Sequence, residues 1–397
     1  MQKSEIRAFI IIPFTLLAMG LVELSSISQF YFERQLAWAF FSASVFALFS
    51  LVPLKFWKAF GIPIYLISIL FLALALMMGG PGPRRWLQFG STRFQPSELA
   101  KLGYILIAAR ILSNRRKSQI ALLLQLGLLA LIPFLLTIAE PDLATSVTFL
   151  WIYFFLLYLF DISPFYLAFL VMPPLAVITS FSPILFLILF VGALLHSRYI
   201  KAGLAYTVSL LTLILLLGFS TPLIWKKALK PYQRERVIAF LAPEKYRTGS
   251  GWQILQARIA LGSGGFGGKG YGRGTQKGLS FLPAAHTDFI FSSFGEEFGF
   301  AGSLLVFLLF GGLIYATLRS SFRMRDRFRR ALGFGIGAYF TYHFLANVGT
   351  NLGFFPVAGV PLPFMTYGGS HLTVEAALLG LLIRALKEES SSYRILE

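Results

Sequence analysis

A chain of 397 residues that is 56% hydrophobic, holds 42 phenylalanines and carries only 13% charged residues is too apolar for an ordinary soluble domain. Its formal charge of +18 has no soluble basic domain to carry it, which argues against nucleic-acid binding and for anionic lipid and an anionic substrate as partners. The absence of cysteine excludes disulfides and thiolate metal sites, and His196, His286, His343 and His371 are too scattered to suggest metal-ligand spacing.

The apolar runs are long and continuous, as membrane-crossing helices of about 20 residues require, and lack the short alternation of a membrane β-barrel. The expected fold is therefore all-α, a polytopic membrane helix bundle. The runs place helices near residues 6–28, 36–53, 60–79, 97–112, 119–139, 143–160, 164–180, 183–196, 202–223, 287–318, 331–354 and 371–386. The first run follows Lys3 and Arg7, is long enough to span, and has no clean small-residue cleavage site after it, so it reads as an uncleaved helix.

Short basic loops orient the bundle, because Lys and Arg near membrane ends favour the cytoplasm. Lys55 and Lys58, Arg115 to Lys117, Arg198 with Lys201, and Arg319 to Arg330 all fall on one side if both termini are cytoplasmic. The pair 164–180 and 183–196 reads as a helical or re-entrant hairpin, and either form leaves that assignment intact. The chain then forms one membrane domain, 1–397, with a large extracytoplasmic loop at about 226–286. That loop carries eleven Lys and Arg, which long loops tolerate on the outside.

Within the loop, Gly262, Gly264 and Gly267 match a GxGxxG dinucleotide fingerprint, but the strand and βαβ unit that give this motif meaning are absent. What remains is a glycine-dense run whose backbone N–H groups could converge on an anion, interleaved with Lys269, Arg273 and Lys277. Further on, Asp288 stands at the mouth of an apolar helix facing this basic loop, a position where a carboxylate is usually functional. The bland alternative is a first-turn carboxylate favoured by the helix dipole. Glu98 and Lys101, at i,i+3 after Pro96, can pair at a helix start that lies near hydrocarbon. Asp142 reads best as the cap of the helix that follows it, and the irregular run Pro356 to Ser370 must be shielded by protein or line a cavity.

Taken together, Arg85-Trp86, Phe94 to Lys101, Pro141-Asp142, Tyr232 to Val237, Ile259 to Gly265, Gly268 to Gly270, Gly274 to Gln276, His286 to Phe291, Glu296-Glu297, Gly359 to Pro363 and Tyr367 to Ser370 resemble the SEDS family (shape, elongation, division and sporulation). These are membrane peptidoglycan glycosyltransferases. The match runs in consistent order from about residue 84 to 370, and the forms at 94–97, 232–237 and 359–363 look more like the elongation branch than the division branch.

The resemblance implies polymerisation of lipid II into glycan strands on the outer face of the bacterial cytoplasmic membrane, with Asp288 as the catalytic residue. It also implies a class B penicillin-binding protein, a transpeptidase, as partner. Candidate substrate contacts are Trp86, Glu98, Lys101, Arg234, Arg236, Lys269, Arg273, His286 and Thr287. The family normally has ten helices, so the surplus maps to 164–196 and brings the count to about twelve. Two further departures are Ala284 in place of the usual Glu after Leu-Pro, and Glu140 with Ala144 in the usual Gln-Pro-Asp-Leu-Gly.

The implied chemistry fits the residue types. Glycosyl transfer from a lipid pyrophosphate needs a base for the attacking hydroxyl, while the leaving group departs as an anion, so one carboxylate plus cations suffices. Arg234, Arg236, Lys269 and Arg273 could stabilise pyrophosphate alone or with a divalent metal, Mg or Mn. Two other classes remain open on sequence alone, a lipid II flippase and a non-catalytic scaffold for the wall machinery, and a closer rival is another polyprenyl-linked glycan polymerase or ligase.

Overall fold

The computed structural model describes residues 2–78, 85–90, 92–114, 118–160, 162–227, 250–278, 281–282, 284–357 and 359–394. The chain divides into two compact units, Met1–Leu156 with Ala242–Glu397, and Leu157–Leu241.

In the first unit, α1 (Gln2–Ile27), α2 (Gln29–Leu51) and α3 (Leu54–Met78) lead to a two-stranded hairpin, β1 (Leu87–Phe89) and β2 (Thr92–Phe94), paired antiparallel with Leu87 opposite Phe94. Then come α4 (Pro96–Leu112), α5 (Gln119–Ala139) and α6 (Leu143–Leu159), the last of which runs on into the second unit. After the second unit the chain continues as α10 (Ser250–Ser263), the single turn α11 (Thr275–Gly278), α12 (Ile290–Arg323), α13 (Arg327–Leu352) and α14 (Gly369–Arg394). α4 and α13 are buried on nearly every face, with Tyr104, Ile105, Phe334, Tyr339 and Phe340 in the core. Around them, α1, α3 and α5 leave one apolar face exposed, with Phe14, Leu66 and Leu124 open, as helices in lipid do.

In the second unit α7 (Pro164–Thr179) and α8 (Pro183–Tyr199) form the hairpin expected at 164–196 and pack with α9 (Leu204–Lys227). Its small core holds Ala168, Ala176, Ala193, Tyr206, Leu210 and Ile214, and the Tyr206 hydroxyl donates to the Phe165 carbonyl at 2.9 Å.

All twelve expected segments are helical. Among the described residues, seven helices, α1, α2, α3, α5, α9, α12 and α14, are long and apolar enough to cross a membrane, and α6, α7 and α8 are apolar but shorter. α4 and α13 fall outside both groups for a physical reason. They form the interior, so their faces carry Glu98, Lys101, His343, Asn347 and Asn351 toward protein partners instead of lipid.

The loop expected at 226–286 is less loop-like than its composition predicts. Residues 250–263 form α10, which packs on α12 and α13 and buries Ile254, Ala257 and Ala260, an i,i+3 stripe of small and apolar residues, with Ala257 against Leu282, Ala285 and Phe289.

The helix expected over 287–318 starts three residues later and is broken at Gly299, whose φ of 68° and ψ of −163° no α-helix contains. The glycine run fills the break. Lys269 and Gly270 N–H groups donate to the Glu296 and Glu297 carbonyls at 3.0 and 2.9 Å, while Phe300 and Ala301 N–H groups reach the Gly265 and Phe266 carbonyls at 2.8 and 3.0 Å. Backbone groups freed inside an apolar helix are thereby satisfied by protein. A Cβ at Gly268 would lie 2.0 Å from the Glu297 carbonyl oxygen, so the exchange requires glycine there.

Candidate active site

Asp288 lies in a turn just before α12, so its carboxyl sits beyond the helix end instead of within the first turn. The turn closes on the Ala284 carbonyl, which accepts from the Thr287 and Phe289 N–H groups at 3.0 and 3.2 Å. Ala284 itself has a φ of 58°. Two asparagines on α13 hold the turn from the other side: Asn347 and Asn351 donate to the Asp288 carbonyl at 3.1 and 2.9 Å. Asn347 also donates to the Val360 carbonyl at 2.9 Å, and Asn351 accepts from the Ser292 N–H at 2.9 Å. The proline-glycine segment after α13 and the Asp288 turn are therefore pinned to one helix face. Gly359 stands beside the Asp288 carboxyl, its Cβ direction 4.0 Å from Oδ2.

His286 and Thr287 flank this carboxyl. The His286 ring stacks on Tyr31 with centroids 4.0 Å apart, and its carbonyl accepts from the Tyr367 N–H at 3.0 Å. Burial lowers its pKa, favouring the neutral imidazole.

A second acidic corner faces Asp288. Asp142 caps α6 as its position predicts, accepting from the Thr145 N–H at 3.2 Å, and pairs with Arg85 at 3.4 Å. Arg85 also donates to the Glu140 carbonyl at 3.2 Å and to the Pro141 carbonyl. Burial first, and then the charge of Asp142, push the Asp288 carboxyl up to about 6, with Arg85 opposing the shift. A carboxyl with that pKa is mostly ionised at neutral pH and is a stronger base than an ordinary aspartate.

The other expected contacts are spread more widely. Glu98 and Lys101 form the predicted i,i+3 pair at 2.7 Å, fully buried, with the lysine 3.3 Å from His343 Nε2. His343 Nδ1 in turn lies 3.2 Å from the Pro361 carbonyl, so this pair supports the same irregular segment that passes Asp288. Trp86 and Arg273 are exposed, and Arg234 and Arg236 lie outside the described residues.

The glycine run departs from its expected role. Its N–H groups do converge on anions, but these are the chain's own carboxylates. Glu296 accepts from the Thr275 and Gln276 N–H groups at 2.9 and 3.1 Å and from the Lys269 ammonium at 2.6 Å, and Glu297 accepts from the Gly274 N–H at 3.2 Å. Lys269 is thus neutralised in place by Glu296. Among the described residues, no three His, Asp or Glu side chains are placed to hold a metal ion.

Residues 7–202 and 184–391 match the family model for FtsW, RodA and SpoVE, described as cell cycle proteins. The chain belongs to this FtsW/RodA/SpoVE family. It is 31% identical to the peptidoglycan glycosyltransferase MrdB of Escherichia coli K12 over 359 residues, covering 88% of this chain and 84% of that protein. It is 32% identical to the peptidoglycan glycosyltransferase RodA of Treponema pallidum, covering 76% of each. It is 30% identical to the probable peptidoglycan glycosyltransferase FtsW of Trichlorobacter lovleyi, covering 89% of this chain and 83% of that one.

Among solved structures, the FtsW/RodA/SpoVE fold recurs in a chain described under "Structural coordination of polymerization and crosslinking by a peptidoglycan synthase complex". That chain superposes with a TM-score of 0.74 at 26% identity, over 96% of this chain and 97% of its own length. The rod shape determining protein RodA of Thermus thermophilus superposes with a TM-score of 0.61 over 96% of each chain, a likeness of fold.

Several members of the site were not singled out as functional from sequence: Asn347, Asn351, Arg85, Glu140 and Tyr31. Asn347 and Asn351 did leave a signal, since two amides at i,i+4 in an apolar helix must find partners inside the protein.

Proposed function

We propose that this chain is a peptidoglycan glycosyltransferase that polymerises lipid II at the outer face of the bacterial cytoplasmic membrane, serving cell elongation alongside a class B penicillin-binding protein. What carries the reading is the Asp288 carboxyl: raised in pKa, carried on a turn whose backbone is pinned by Asn347 and Asn351, and opposed to the Asp142–Arg85 pair beside an apolar helix. The similarity to proteins named peptidoglycan glycosyltransferases supports the activity, and the likeness to a chain from a peptidoglycan synthase complex supports the partner. The elongation role rests on the forms at 94–97, 232–237 and 359–363, because relatives of both branches match at 30–32% identity.

In this reaction the acceptor sugar's 4-hydroxyl oxygen attacks the donor's anomeric carbon, the bond to undecaprenyl pyrophosphate breaks with its electron pair, and Asp288 takes the hydroxyl proton. Arg85 supplies a cation beside the carboxyl. Arg273 is an exposed one on the loop that could meet the pyrophosphate.

The test is the purified protein on labelled lipid II, scored for polymer and separately for transbilayer movement. Polymer is expected, rising about tenfold from pH 5 to pH 7 as a base with a pKa near 6 ionises. Movement without polymer would favour a flippase. The same raised pKa works against folding. Unfolding lets this carboxyl ionise at its ordinary value of 3.8, so its contribution to stability is fully present below that value and falls as pH rises toward 6.

The reading also requires both termini inside and the glycine run outside. In this cysteine-free chain, a cysteine at the exposed position Tyr271 should react with an impermeant reagent added to whole cells, and one at the exposed Ser118 should not. The reverse pattern would put Asp288 on the wrong side of the membrane for this chemistry.

A further inference from the structure

Glu140, at the end of α5, is fully buried, and among the described residues neither of its carboxyl oxygens has a hydrogen-bond partner. An ionised carboxylate in such a place needs a cation or several donors. The cation beside it is already committed. Arg85 directs Nε to the Glu140 backbone carbonyl, another N–H to the Pro141 carbonyl, and Nη1 to the Asp142 carboxylate. The other charged group beside it, Asp142 at the start of α6, is acidic and opposes a further negative charge.

We propose that Glu140 is held as a neutral carboxylic acid, a positioning residue that leaves the Arg85 guanidinium to Asp142 and so keeps Asp142 compensated beside the Asp288 carboxyl. The departure from the family's usual Gln is mild in this form, since a neutral acid and an amide share a shape and both donate. Ionisation would change the corner. A charged Glu140 competes for Arg85, so Asp142 loses its partner and the cation beside the Asp288 carboxyl is drawn away from the site. Burial first, then Asp142, hold Glu140 up at about 8, with Arg85 opposing, so this change falls on the alkaline side.

The activity half of the test rests on the function proposed above, whereas the stability half does not. Full-length wild type and Glu140→Gln are compared from pH 6 to pH 9 by thermal unfolding and by lipid II polymerisation. By linkage, the wild-type carboxyl weakens the fold as pH rises from its ordinary value of 4.5 toward 8, and the amide does not. Glu140→Gln should therefore gain stability relative to wild type with rising pH, and wild-type polymerisation should fall about tenfold from pH 7 to pH 9 while the variant's persists.

Parallel stability curves would mean that Glu140 is not a neutral acid in the fold, which overturns the proposal. Diverging stability curves with identical alkaline limbs would overturn the link from Glu140 through Arg85 to Asp288. The infrared spectrum of wild type provides a check that needs no variant: a protonated-carboxyl band lost near pH 8 is expected, and its absence at pH 7 would count against the proposal. Should neither protein make polymer at any pH, the proposed function fails, and the stability curves still decide the state of Glu140.

Discussion

Asp288→Asn should cost at least about 10²-fold in lipid II polymerisation, the lower end of what a general base typically contributes. The substitution keeps the side chain's shape and removes its ability to take a proton. The turn should hold, because Asn347 and Asn351 grip the backbone carbonyl of residue 288 and not its carboxyl. Stability should stay level or rise, since the change removes a half-buried charge next to Asp142. The loss should therefore appear in kcat, with KM little altered. The acid limb near pH 6 should disappear from whatever activity remains. A folded Asn variant with a near-normal rate would take the role of base away from Asp288. Glu98 would be a poor replacement, because its carboxylate is already bonded to Lys101 at 2.7 Å in a closed interior.

Much of this site was legible because its parts are local. Apolar runs mark where the helices lie, with ends that miss by up to eight residues, Glu98 and Lys101 pair as their i,i+3 spacing predicts, and Asp142 caps α6. The parts that were not legible depend on segments distant in sequence. Gly299 reads as one more glycine in an apolar run until residues 265–270 are seen to insert their backbone across it. The glycine run has the composition of an anion cradle, and sequence alone does not reveal that Glu296 and Glu297 occupy it. α10 was missed because two of its three buried hydrophobic positions are alanines, which leave a faint periodic signal. The Asp142–Arg85 corner joins residues 57 apart, and neither looks unusual alone.

The largest effect on folding is expected at Lys277, whose side chain is 6% exposed and whose ammonium lies 2.9 Å from Glu23, 2.7 Å from Glu297 and 2.8 Å from the Ser26 hydroxyl. Glu23 belongs to α1 and Glu297 to the broken part of α12, so this one cation ties the glycine run to two helices. Lys277→Met leaves two buried carboxyl groups facing each other without it. Breaking such a buried arrangement costs about 3–5 kcal/mol, a large share of the roughly 5–15 kcal/mol that separates a folded from an unfolded domain. A marked fall in the unfolding temperature of the detergent-solubilised protein is expected, with early proteolysis in the run 264–278.

Electrostatics can be separated from lost packing by adding Glu23→Gln and Glu297→Gln to Lys277→Met. With the charges gone, the amides can still bond to Ser26, Ser293 and the Gly274 N–H, so the triple variant should recover more than half of the lost stability. A triple variant as unstable as Lys277→Met would show that the lysine acts through its packed stem. A Lys277→Met protein as stable as wild type would mean that this cation is not what holds the glycine run in the helix break. Asp288 lies eleven residues beyond Lys277, after the chain has left that clasp, so polymerisation should fall with the clasp and return with the triple variant.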